Sequence, residues 1–227
     1  CHIGSLIYRI EAYREAVKVM AELARQIKSE LGAEIEELNL GGGFGVYDYE
    51  NDKHIDITGF IEAIMETVEE QCGIKKIKRP KILIEPGRWI VGESGITLYT
   101  VGSIKEIKGI RKYVSVDGGM TDNPRHALYK AVYRAAAANK AKESCTDTVT
   151  IAGKCCESGD ILIRNLKTPV LEAGDILAVY GTGAYNYSMS SNYNKMTRPA
   201  LVMVRNGRSK VVVRRETYED LIRCEEI

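Results

Sequence analysis

The sequence has no charge bias. Lys plus Arg number 32 against 31 Asp plus Glu, a formal net charge of +1, so nothing points to a nucleic acid or another polyanion as partner. No apolar run approaches the roughly 18 residues that a membrane span needs, and no membrane association is expected. Six cysteines in 227 residues are too sparse for a disulfide scaffold. None falls in a Cys-x-x-Cys pair, and His2, His54 and His126 have no ligand spacing with one another or with the cysteines, so no metal site is expected. An initiator Met is also missing: the chain opens on Cys1-His2 and reads as a piece of something longer. Reduced thiols in the cytoplasm are the expectation. The composition itself, 44% hydrophobic and 28% charged, is that of a folded chain of one or two domains.

The pattern changes along the chain. In residues 1–95 helices alternate with strands. From Ile7 the apolar positions Ile10, Tyr13, Val17, Met20, Ala24, Ile27 and Leu31 recur at helical spacing, and Gly32 supplies a stop. Ile35 to Leu40 reads as a short strand, Ile57 to Val68 as a second helix ending near Gly73, and Lys81 to Ile84 as a buried strand. That order argues for a parallel sheet with covering helices. In residues 96–227 the runs Ile96–Val101, Tyr113–Asp117, Thr148–Ala152, Ile176–Tyr180, Ala200–Val204 and Val211–Val213 read as strands, with Asn206-Gly207 marking a hairpin. The fold class is α/β followed by a mostly antiparallel β domain. Tyr133 to Ala141, with four consecutive alanines, reads as helix on propensity alone.

The polar and glycine-rich motifs sit where strands end, which is where parallel α/β folds put their ligands. Gly41-Gly42-Gly43 is either a tight turn or a phosphate cradle, since glycine lets backbone N–H groups come close. Val46 breaks the spacing of a dinucleotide fingerprint. Glu85-Pro86-Gly87-Arg88 offers a surface ion pair, or an anion clamp beside an acid for a cationic ring nitrogen. Ser5, in His2-Ile3-Gly4-Ser5, reads first as an N-cap of the following helix, and His2 as an imidazole able to stack on a flat ligand. Asp117 to Arg125 is a long polar turn; Arg125 and Tyr129, four apart, would share a helical face. Cys156-Glu157-Ser158-Gly159-Asp160 interrupts two strands, as an ordinary turn or as a thiol and carboxylate poised for proton transfer. Gly183-Ala184-Tyr185 ends another strand beside a phenol.

Together and in this order, these six motifs resemble the pyridoxal-phosphate decarboxylases of the alanine-racemase-like fold over essentially the whole chain. The resemblance implies a pyridoxal 5'-phosphate cofactor. It implies the last three strands of a (β/α)8 barrel over residues 1–95, ending at His2–Ser5, at the triple glycine and at Glu85–Arg88. An antiparallel β domain over 96–227 follows, with a strand at Tyr133 to Ala141. It also implies that the barrel's earlier strands, and the lysine that holds the cofactor, precede Cys1. None of the lysines present matches that lysine's context, so the isolated chain would be inactive.

By the resemblance, Cys156, Glu85 and His2 are catalytic. His2, Ser5, Gly43, Glu85, Pro86, Gly87, Arg88 and Tyr185 hold the cofactor, and Arg88, Arg125, Tyr129, Glu157 and Tyr185 hold the substrate. The combination of Asn123-Pro124-Arg125 and Tyr129 with Cys156-Glu157-Ser158 implies meso-diaminopimelate as the substrate, with L-lysine and CO2 as products. It also implies a homodimer whose Cys156 reaches the partner's barrel. Arginine, ornithine or carboxynorspermidine as substrate, or a non-catalytic regulatory relative, are the alternatives. Trp89 and His126 depart from the family pattern without disturbing it.

Overall fold

The structure, a computed structural model, describes residues 1–48 and 53–226. The chain divides into two compact units, Cys1–Gly92 and Glu93–Ile227.

The first unit runs α1 (Ile10–Leu31), β1 (Glu37–Asn39), β2 (Tyr47–Asp48), β3 (Lys53–His54), α2 (Ile57–Lys75), β4 (Lys81–Leu83) and α3 (Gly87–Val91). Helix α1 buries Tyr13, Ala16, Val17 and Ala21 along one stripe, as its apolar period requires. It stops at Gly32, whose φ of 66° is left-handed and comfortable only without a Cβ. The helix starts later than Ile7 because Ile7 is taken by a parallel bridge to Phe44. Ile7 N–H donates to Gly43 O at 2.9 Å and Gly45 N–H to Ile7 O at 3.0 Å. Ser5 therefore does not cap α1. The N-cap is Arg9, which offers no side-chain acceptor. Helix α2 is capped by Asp56, whose carboxylate accepts the Thr58 N–H at 2.9 Å.

Strands β1 and β4 pair in parallel, and α1 and α2 pack with them around a core of Tyr13, Val17, Leu38, Leu40, Phe44, Phe60, Ile64 and Val68. Tyr13 stacks on Phe44 with centroids 4.6 Å apart, and Phe60 meets Tyr13 edge-on. This is the strand–helix alternation of the closing part of a (β/α)8 barrel.

The second unit contains β5 (Ile96–Ile107), β6 (Arg111–Val116), α4 (Arg125–Tyr129), β7 (Ala135–Ala137), β8 (Asp147–Ala152), β9 (Ile161–Thr168), β10 (Ile176–Tyr180), β11 (Leu201–Arg205), β12 (Arg208–Val213) and α5 (Tyr218–Ile222). A six-stranded sheet has the order β7-β10-β5-β6-β8-β9 and is antiparallel except for β6 beside β8. Its core is Tyr99, Val101, Val114, Val116, Val149, Ile151, Leu162, Leu177 and Val179. β11 and β12 form a separate hairpin around Asn206 and Gly207, both at positive φ, as the dipeptide predicts.

The alanine run is extended only at Ala135–Ala137, which pair with β10; Ala138–Lys140 turn into a 3-10 helix. The strand implied for Tyr133 to Ala141 is thus too long. It ends where the Asn139 side chain takes over, accepting Ile176 N–H at 3.0 Å and donating to Asp175 at 2.8 Å. No helix of the described residues is long and apolar enough to cross a membrane, and no cluster of His, Cys, Asp and Glu among them has metal-binding geometry.

Candidate active site

In the first unit the parallel pairing continues past β1 and β4 into the two motifs. Leu40 N–H donates to Leu83 O at 3.0 Å and Glu85 N–H to Gly41 O at 2.8 Å. This brings the triple glycine beside Glu85. Asn39 then links them through its side chain: Oδ1 accepts Gly41 N–H at 2.8 Å, and Nδ2 donates to Glu85 Oε1 at 2.7 Å. One carboxylate oxygen of Glu85 is thereby fixed, at the exposed end of the strand.

The glycines are there because backbone fills their side-chain directions. A Cβ on Gly41 would lie 2.3 Å from Cys1 O and 3.0 Å from His2 Cα, one on Gly42 would lie 2.1 Å from Glu85 O, and one on Gly43 would lie 2.1 Å from Gly4 O. The close approach gathers His2, Ser5, Gly43 and Glu85 at one end of the two strands. The Gly42 carbonyl accepts from Tyr13 at 2.9 Å, a phenol that burial pushes up to about 12. Gly87 N–H closes a tight turn onto Glu85 O at 2.8 Å, so Pro86 and Gly87 lead straight into α3, which carries a half-buried Arg88.

In the second unit Arg125 opens α4 and is 5% exposed. Its guanidinium lies 5.0 Å from the Tyr129 ring centroid and 5.4 Å from that of Tyr185, and Nη1 contacts Met189 Sδ at 4.0 Å. Nε is buried without a hydrogen-bond partner, and among the described residues no carboxylate pairs with Arg125. A desolvated cation held only by ring faces and a thioether sulfur is expensive and selects for an incoming anion. Both side-chain polar atoms of Asn123, two residues earlier, are also buried and unpartnered, as is Asn186 Nδ2, next to Tyr185.

The structure therefore joins Arg125, Tyr129 and Tyr185 in one cluster. Glu157 it engages locally: Oε1 accepts from Ser158 Oγ at 3.4 Å and from Gly159 N–H at 3.3 Å. Cys156 is exposed on the same turn. Its neighbour Cys155 is half-buried, and burial, with Asp160 beside it, pushes that thiol up to about 11. Nothing in the sequence singled out Asn39, Asn186 or Met189, and Asn123 stood out only as part of the Asn123-Pro124-Arg125 motif, with no sign that its amide is buried and unpartnered. Asn39 lies two residues before the triple glycine, and that proximity to a motif was the one available signal.

Residues 1–92 match the family described as pyridoxal-dependent decarboxylase, pyridoxal binding domain. The chain is 49% identical over 225 residues to a diaminopimelate decarboxylase of Bacillus subtilis, covering 99% of this chain and 51% of that protein. It is 48% identical over 223 residues to the diaminopimelate decarboxylase of Staphylococcus aureus, covering 98% of this chain and 52% of that protein. The solved diaminopimelate decarboxylase of M. jannaschii in co-complex with L-lysine superposes with a TM-score of 0.89 at 34% identity, over 100% of this chain and 51% of that one. The chain thus spans about half the length of the relatives it matches.

Proposed function

We propose that the chain belongs to the pyridoxal-dependent decarboxylases, whose pyridoxal binding domain residues 1–92 match, and that the protein containing it decarboxylates meso-diaminopimelate to L-lysine and CO2, as a cytoplasmic homodimer with shared active sites. The observation that carries this reading is Arg125, a buried guanidinium without an acid partner among the described residues. A substrate with an amino-acid group at each end brings a carboxylate to the position where that cation needs one. A simple diamine precursor brings none.

The donor set at the strand ends fits pyridoxal phosphate. Glu85, oriented by Asn39 through one oxygen, has the other available for a protonated ring nitrogen. The Gly43 N–H and the Ser5 hydroxyl donate to no described residue and suit a phosphate, joined in this reading by the backbone of Gly87 and Arg88 and by Tyr185, while Pro86 lines the cofactor without donating. His2 would stack on the ring. When bound, the cofactor supplies the electron sink that lets the carboxylate carbon leave.

The chain's own residues do the rest. Glu85 keeps a proton on the ring nitrogen through its negative charge. Arg125 forks onto the distal carboxylate of the substrate, and by the resemblance Arg88 is a second substrate-binding arginine. Tyr129 and Tyr185 add phenol hydrogen bonds, and Glu157 takes the distal ammonium by giving up its contacts with Ser158 and Gly159. Cys156 delivers a proton to Cα after CO2 departs.

The test is the full-length protein assayed with meso-diaminopimelate, L-ornithine, L-arginine and carboxynorspermidine. Stoichiometric CO2 and L-lysine from the first substrate are expected. Turnover of a diamine precursor in preference to it would overturn the reading.

A further inference from the structure

Asp160 ends the Cys156-Glu157-Ser158-Gly159-Asp160 motif, and the function above assigns it no role. It is 3% exposed. One carboxylate oxygen, Oδ1, accepts the N–H of Met120 at 2.6 Å. The other, Oδ2, accepts the N–H of Cys155 at 2.7 Å. Met120 lies in the turn that leads to Arg125, and Cys155 lies next to Cys156, so one buried carboxylate holds two separate turns.

The backbone is shaped to admit it. A Cβ on Gly119 would stand 2.5 Å from Oδ1, and one on Gly153 would stand 2.2 Å from Oδ2; neither position tolerates a side chain while Asp160 is in place. Asp160 also closes its own turn, with Gly153 N–H donating to Asp160 O at 2.9 Å and Asp160 N–H donating to Glu157 O at 3.1 Å. Charge-assisted bonds from backbone N–H groups to a buried carboxylate are among the stronger hydrogen bonds, and they fix geometry at both ends.

We infer that Asp160 is the positioning residue of the second unit: it ties the Arg125 turn to the Cys156–Glu157 turn, so that each chain's reader of the distal carboxylate and its proton donor, which reaches the partner's barrel in the shared sites of the dimer, are held in one fixed relation. The inference rests on the proposed function for the roles of Arg125 and Cys156, whereas the tie between the turns stands on the hydrogen bonds alone.

The experiment is Asp160→Asn in the full-length, cofactor-loaded protein. The change is close to isosteric, but only one of the two side-chain atoms now accepts, and the amide nitrogen faces an N–H donor. Hydrogen exchange should quicken about tenfold or more at Met120 and Cys155 together. For meso-diaminopimelate, KM should rise and kcat should fall, with an altered solvent isotope effect on kcat and unchanged cofactor absorbance. Gly153→Ala should reproduce both effects from the other side of the carboxylate. Should either variant fail to fold, exchange in the wild type still decides: the two amides must be protected and must open together. Independent opening of the two turns, or wild-type kinetics in a variant that has merely lost thermal stability, would overturn the inference. A wild-type protein inactive on meso-diaminopimelate would sink the functional reading, and the exchange measurement would still report on the tie.

Discussion

Arg125 and Asn123 lie two residues apart and are both buried without hydrogen-bond partners for polar atoms, yet they call for opposite treatment. Arg125 carries a full charge and stacks on two phenol rings. Arg125→Lys keeps the charge and loses the planar fork. In the full-length protein it should lower kcat/KM for meso-diaminopimelate by about 1.5–3 kcal/mol, the worth of a charged hydrogen bond, and leave cofactor absorbance unchanged. Weakened cofactor retention with intact substrate discrimination would instead put Arg125 in the cofactor shell. Asn123 is neutral, and leaving a buried amide unpaired costs about 1–3 kcal/mol. Asn123→Leu, which keeps the side-chain branching and removes both unpaired polar atoms, should raise the stability of the ligand-free protein by about 1 kcal/mol, read from denaturant midpoints. A loss of stability would show that the amide has a partner. Arg125 was legible because a cation and an aromatic four residues apart share a helical face. Asn39 and Asp160 were not, because what they hold are backbone N–H groups delivered by other segments, and no local pattern records that.

The elements were most legible where one force sets them. The apolar stripe of α1, the Gly32 stop and the Asn206-Gly207 hairpin were all readable from neighbouring residues. The start of α1 was not, because the parallel bridge from Ile7 to Phe44 is a long-range contact that removes the first turn from the helix. The cap that results is poor, and Arg9→Ser, which supplies an acceptor for the N2 or N3 N–H, should stabilise the first unit by about 0.5–2 kcal/mol in thermal melts. The alanine run likewise follows tertiary pairing over propensity, becoming a strand only as far as β10 offers partners.

The turn between β6 and α4 makes a prediction about pH. Asp122 accepts hydrogen bonds from the Tyr99 hydroxyl and from Gly119 N–H, and burial raises its carboxyl above the usual range. The native state therefore holds this proton more tightly than the unfolded chain does. The stabilisation is complete below the unfolded value and is lost as pH rises through the folded one. Asp122→Asn can accept from Gly119 and donate to the Tyr99 oxygen. Its melting temperature should exceed that of the wild type near pH 7, with the difference closing as pH falls through the carboxylate range. A difference that does not change with pH would contradict this.

At the scale of the molecule, the two units have separate cores and carry different shares of the proposed chemistry: most cofactor groups at the strand ends of the first, most substrate groups and the proton donor on the turns of the second, with Arg88 and Tyr185 the exceptions. The change in sequence pattern near residue 95 carried the α/β-then-β architecture, since period alone separates the two. The proposed substrate did not follow from period or composition. It came from Asn123-Pro124-Arg125 with Tyr129 and from Cys156-Glu157-Ser158, once six motifs in order had pointed to the family, and physically it rests on a buried cation and the anion it requires. The most direct test of that claim is kcat/KM of the full-length protein for meso-diaminopimelate against L-ornithine. A site built around a charged hydrogen-bonding group rejects an analogue that lacks its partner, so the preference for meso-diaminopimelate should be about a hundredfold or more and should shrink sharply in Arg125→Lys. Equal or faster turnover of ornithine, unaffected by that substitution, would contradict the account.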